Sequence, residues 1–170
     1  IETLGDLMGA LKTKAKVEAF AKQTGLAVSY LTVLGREARS YFPNPVKLSA
    51  FPDIDCGIVD ELEKMGIKHT KHLFEATHSD GKLTRLQTTI GHGGEAIAQL
   101  AQLSDLSRLY GVGPVFAKLL HDAGIDSVAT FVTYTAEQIV NLYEDATQKK
   151  ADFSHSEIDF SLQIAKQLVW

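Results

Sequence analysis

One cysteine, four prolines and one tryptophan are all that 170 residues contain of those three types. The lone Cys56 excludes an intramolecular disulfide framework and any multi-cysteine zinc site. No apolar run approaches the roughly 18 residues that a membrane span needs. No signal-peptide pattern opens the chain at Ile1. A soluble, cytoplasmic protein with no membrane partner is the expectation. A positive excess is also missing: 17 basic against 21 acidic residues leave a net charge of −4. That argues against a strongly basic nucleic-acid binder and leaves room only for a local basic patch. What remains is ordinary globular material, 45 % hydrophobic and 22 % charged, which excludes wholesale disorder.

The chain contains a duplication. Residues 47–75 align without a gap on residues 105–133, at an offset of 58. Leu48 falls on Leu106, Leu62 on Leu120, Gly66 on Gly124 and Ile67 on Ile125. The stretch before each copy also matches, 16–34 on 82–100, now at an offset of 66. The change of offset places an eight-residue insertion in the first copy, within 36–46, where Pro43 and Pro45 mark an irregular loop. Two units follow from this, 1–80 and 81–170, the second extended by a helical tail.

Periodicity predicts helices throughout. Val115, Phe116, Leu119, Leu120 and Ala123 recur at helical spacing. Thr135 with Gln138, and Ser154 with Glu157, are capping boxes ahead of apolar runs. Asp126 is the expected N-cap of the helix that carries Val128 and Phe131. Gly66 and Gly124 stand where a helix must stop, because glycine adopts the left-handed conformation there at no steric cost. Strand alternation is absent, so the fold class is all-α.

The sharpest local signal is LSRLYGVGPVFAKLLHDAGI, residues 106–125. It predicts a short helix, a turn at Gly111-Val112-Gly113-Pro114, and a second helix with proline at its first position. Val112 anchors the turn in the core. Backbone N–H groups at Gly111 and Gly113, backed by a helix N-terminus, suit a phosphate oxygen. Arg108 and Lys118 are the nearest cations. Such a contact reads no base and is independent of sequence.

The segment resembles the helix-hairpin-helix motif of DNA repair and replication proteins. More broadly, residues 12–168 are similar to a bacterial family of uncharacterised proteins built from tandem helix-hairpin-helix units, with AKQTGL at 21–26 as a matching feature. The resemblance implies two tandem units packed into one compact body, and no established activity. Turns of this kind in known proteins can hold a monovalent cation on carbonyl oxygens, which by resemblance would be those of Leu109, Gly111 and Val112. The chain departs from DNA-binding examples at Val115 and Phe116, where Lys, Arg or Thr is common. In the first copy Asp53 and Asp55 replace both glycines, which makes that hairpin structural.

Other candidates are weaker. Residues 16–36 have the apolar spacing of a DNA-reading helix-turn-helix, but Ser29, Tyr30 and Thr32 bring no charge to its second helix. Gly91-His92-Gly93-Gly94 reads as a flexible turn, because no Walker lysine follows it. His69, His72 and His78 have no cysteine or carboxylate to complete a familiar metal set. No catalytic constellation, metal site or cofactor is expected. Two functions remain. The chain binds the phosphate backbone of DNA or RNA through Arg108, Gly111, Val112, Gly113 and Lys118. Alternatively, it is a protein-interaction scaffold, with Phe42, Val115, Phe116, Tyr134 and Trp170 as candidate contacts.

Overall fold

The computed structural model describes residue 1 and residues 4–168. Among these, the regular structure is eleven α-helices and one 3-10 turn; the only β pairing is an isolated bridge between Lys47 and His69. The chain packs as two compact units, Ile1–Phe42 and Pro43–Trp170. Their boundary falls inside the predicted insertion. The 80/81 division suggested by the duplication lies within the second unit, between its second and third α-helices. No helix among the described residues is long and apolar enough to cross a membrane.

The first unit holds α1 (Leu4–Ala10), α2 (Lys14–Thr24) and α3 (Val28–Ser40) around Leu11, Val17, Ala21 and Leu31. Thr13 caps α2 by accepting the Lys16 N–H, and Gly25 ends it in the left-handed region at φ +73°. The second unit begins with the 3-10 turn Leu48–Ala50, then α4 (Cys56–Lys64) and α5 (Thr70–Thr77). It continues through α6 (Lys82–Ile90), α7 (Gly94–Leu106), α8 (Pro114–Asp122) and α9 (Val128–Phe131), and ends in α10 (Ala136–Thr147) and α11 (His155–Ala165). One core from Leu48 to Ala165 holds this unit together, with Leu62, Leu73, Leu103, Leu120 and Phe131 fully buried.

The sequence offsets recur in the element ends. Adding 58 to the bounds of α4 gives those of α8, and adding 58 to the start of α5 gives the start of α9. Adding 66 to the bounds of α3 gives those of α7. The C-terminal stops match as well: the Ile67 N–H reaches back to the Leu62 carbonyl and that of Ile125 to the Leu120 carbonyl, both at 2.9 Å. Each bond closes around a left-handed glycine, Gly66 or Gly124.

Both predicted capping boxes form, at Thr135/Gln138 and Ser154/Glu157. Two local expectations need correction. The N-cap of α9 is Ser127, not Asp126; the Asp126 carboxylate instead accepts from the Ser127 and Thr130 hydroxyls. And 106–110 is no separate helix. Helix α7 runs to Leu106 and passes straight into a chain of tight turns, with the Arg108 N–H on the Asp105 carbonyl and the Leu109 N–H on the Leu106 carbonyl, both at 3.0 Å.

Candidate nucleic-acid interface

The turn between α7 and α8 is built from its backbone. The Val112 N–H donates to the Leu109 carbonyl at 3.3 Å, so one carbonyl that the family resemblance offers to a cation already accepts a proton donor. Gly111 takes φ +77°, a conformation that suits glycine. Val112 is buried and pins the loop, while Gly111 and Gly113 face open space: a Cβ built on either meets no atom within 4 Å. Gly113 is the N-cap of α8 and has ordinary extended geometry, φ −86° and ψ 176°. It has no side chain to cap with, and no side chain caps α8 from elsewhere among the described residues. Pro114 occupies the first helical position, so the N–H groups of Val115 and Phe116 are the ones left at this terminus.

The corresponding turn of the first copy solves the same problem differently. Asp53 sits where Gly111 does at the offset of 58, and it too is left-handed, at φ +52°. Asp55 sits where Gly113 does and caps α4: its carboxylate oxygen accepts from the Gly57 N–H at 2.8 Å and the Ile58 N–H at 3.2 Å. A carboxylate therefore already fills the anion position at α4, and the equivalent position at α8 holds no side chain.

The two predicted cations do not converge on the turn. Arg108 pairs with the Asp105 carboxylate, donates to the Leu168 carbonyl at 3.2 Å and lies 4.1 Å over the Phe74 ring. It ties the turn to the far end of the chain. Lys118 donates to both carboxylate oxygens of Asp122 at 2.6 Å. Partial burial pushes the Asp122 carboxyl up, but hydrogen bonds from Lys118 and His121 outweigh it and hold the group below its usual range. What the turn offers an anion is its backbone. Val115, the residue after Pro114, is 71 % exposed and adds an apolar rim.

The other side of the turn carries contacts that no local sequence pattern signals. Ser161 of α11 donates to the Tyr110 carbonyl at 2.8 Å, and the Tyr110 and Phe160 rings meet edge to face at 5.2 Å. Asp105 bonds the Val128 N–H at 2.8 Å, locking α9 to α7.

Residues 57–168 match the family described as Domain of unknown function (DUF4332). The chain belongs to that family. No curated protein and no solved structure matches it. The DUF4332 segment takes in α5 to α11, nearly all of α4, and both the 107–113 turn and the contacts behind it.

The remaining candidates fall into structural places. Gly93 is left-handed at φ +63°, and a Cβ there would overlap the Ile58 side chain, so the GHGG stretch is a point of close packing rather than a flexible turn. The His69 ring caps α5, accepting the His72 N–H, and lies 3.6 Å from the His72 ring, tilted by 30°. Desolvation, then the neighbouring His72, lowers the pKa of His69. His78 stacks on Phe74 instead. No group of three His, Cys, Asp or Glu side chains gathers for a metal among the described residues. Phe42 and Val115 are exposed, Phe116 and Tyr134 half-buried, and Trp170 lies outside the described residues.

Proposed function

We propose that this chain is a non-catalytic module of two tandem helix-hairpin-helix units, whose second hairpin binds the phosphate backbone of DNA or RNA without sequence preference. The coincidence of element ends at offsets of 58 and 66 supports the tandem repeat. One observation carries the function. At α4 the Asp55 carboxylate occupies the N-terminal N–H groups, and at α8 Gly113 leaves the same groups without a side-chain cap. A phosphate oxygen at Val115 and Phe116 would take the position that a carboxylate oxygen takes in the first copy. Gly111 and Gly113 let a backbone approach closely. Arg108 and Lys118, both paired internally, add little net charge, so the affinity is low and its fall with salt is shallow.

Fluorescence anisotropy with single-stranded and duplex DNA and RNA, at two salt concentrations, tests this with Gly113→Asp alongside. The expected result is binding that weakens with salt and disappears in Gly113→Asp, because the new carboxylate caps α8 as Asp55 caps α4. Undiminished binding by the variant overturns the assignment of the site.

A second reading, a protein-interaction scaffold, has its own observation. Tyr30 and Val33 lie three residues apart on α3 and are 55 % and 48 % exposed, with Leu26, 44 % exposed, just before the helix. Absence of nucleic-acid binding even at low salt favours this reading.

A further inference from the structure

A pocket of about 320 Å³ lies behind the second hairpin, between Tyr110–Val112 and α11. Its walls are aromatic: Tyr110, Phe116, Phe153 and Phe160 surround it, and Phe131 closes its floor. Tyr110 and Phe160 meet edge to face, and Phe116 and Phe153 form a second pair with ring centroids 5.4 Å apart. Glu157 is the one charged residue of the lining; no Lys, Arg or His takes part among the described residues. Its carboxylate accepts from the Ser154 N–H at 2.8 Å and the Ser154 hydroxyl at 2.9 Å. Those hydrogen bonds hold its pKa below the usual carboxylate range. The segment around it is acidic too, with six acidic and three basic residues over 134–170, a net charge of −3.

We propose that this pocket binds an alkylated ammonium group, held by cation–π contact with its rings and by the charge of Glu157. The chemistry selects that guest. An anion is repelled by Glu157 and by the negative faces of the rings. A neutral apolar guest gains from burial but nothing from the carboxylate. A bare ammonium gives up strong hydration to enter, whereas an alkylated one spreads its charge over apolar substituents and fits an aromatic cage. Gly111, Val112 and Phe116 belong to both sites, but Gly113 does not line the pocket, so Gly113→Asp tests the phosphate reading alone.

An NMR titration with tetramethylammonium chloride, against tert-butanol as the neutral isostere at matched ionic strength, tests the proposal. Tetramethylammonium is expected to shift the Gly111 amide and the Phe153 and Phe160 ring signals saturably, and tert-butanol to leave them in place. Glu157→Gln keeps a capping box, because glutamine serves the same helical position, and is expected to weaken binding severalfold. Phe160→Leu keeps apolar bulk and loses the ring, for a loss of roughly two- to fivefold. Equal binding of tert-butanol, or full affinity in both variants, overturns the proposal. A peptide bearing trimethyllysine separates the sources: tighter binding than tetramethylammonium assigns a protein side chain, weaker binding a small free alkylammonium compound.

Discussion

The turns at 53–55 and 111–113 share a backbone and differ in what fills it. Both place a left-handed residue two positions before the N-cap, and both feed helices of the same length. Asp53 and Asp55 make the first turn self-sufficient: one carboxylate accepts two N–H groups of α4. Gly111 and Gly113 leave the second without a side chain of its own. The two turns thus keep the same geometry while only the first carries a side-chain cap of its own. The difference resides in two side chains and not in the path of the chain.

The comparison breaks most severely at Gly93. The first copy has Ala27 at the matching position, with φ −65°, whereas Gly93 is left-handed and packs on Ile58. Gly93→Ala combines overpacking with a strained φ, for a loss of about 2–4 kcal/mol. Chemical denaturation followed by circular dichroism measures it. The same experiment on Ala27→Gly should show a much smaller effect.

The two caps sharpen the comparison in opposite directions. Asp55→Ala removes a charged cap and should destabilise the second unit by about 1 kcal/mol. Gly113→Asp adds one where ordinary φ and open space accept it, and should stabilise by a similar or smaller amount. A stabilised variant that no longer binds nucleic acid would separate folding from function in one substitution. A destabilised Gly113→Asp would mean that the two turns are not equivalent.

The smallest effect is a pH dependence that only the first copy carries. His69 caps α5 through its ring, and Ser127 caps α9 at the corresponding place with a hydroxyl. The folded-state pKa of His69 lies below the ordinary 6.5. Its contribution is therefore full above 6.5 and is lost as pH falls from there through the lower folded-state value, because the unfolded chain takes up the proton first. His69→Asn keeps a capping side chain without a titrating group. Denaturation midpoints between pH 7 and pH 5 should drift less in His69→Asn than in the parent.

Much of the fold was legible because it is local. Helix ends, capping boxes and glycine stops depend on residues a few positions apart, and the duplication doubled the signal for each. Local sequence cannot choose the cap of α9 because Asp126 and Ser127 are both good caps; in the fold the Thr130 hydroxyl donates to Asp126 and the Thr130 N–H to Ser127. The glycines of the candidate site were legible from their spacing, but the fate of the cations was not. Arg108 reaches Leu168, sixty residues on, and stacks on Phe74 from the other direction. The aromatic pocket escaped for the same reason, since its walls come from α8, α9, α11 and the segments preceding α8 and α11. Gly93 looked like slack in the chain because its role is set by Ile58, thirty-five residues earlier.

The boundary at Phe42 has a kinetic consequence. The core of the first unit spans Leu11 to Leu31, so its contacts are available as soon as α3 has been made. The core of the second unit runs from Leu48 to Ala165, and it cannot close until α11 has emerged from the ribosome. During synthesis the hairpin, whose Leu109 and Leu120 belong to that core, is therefore made before the core can close.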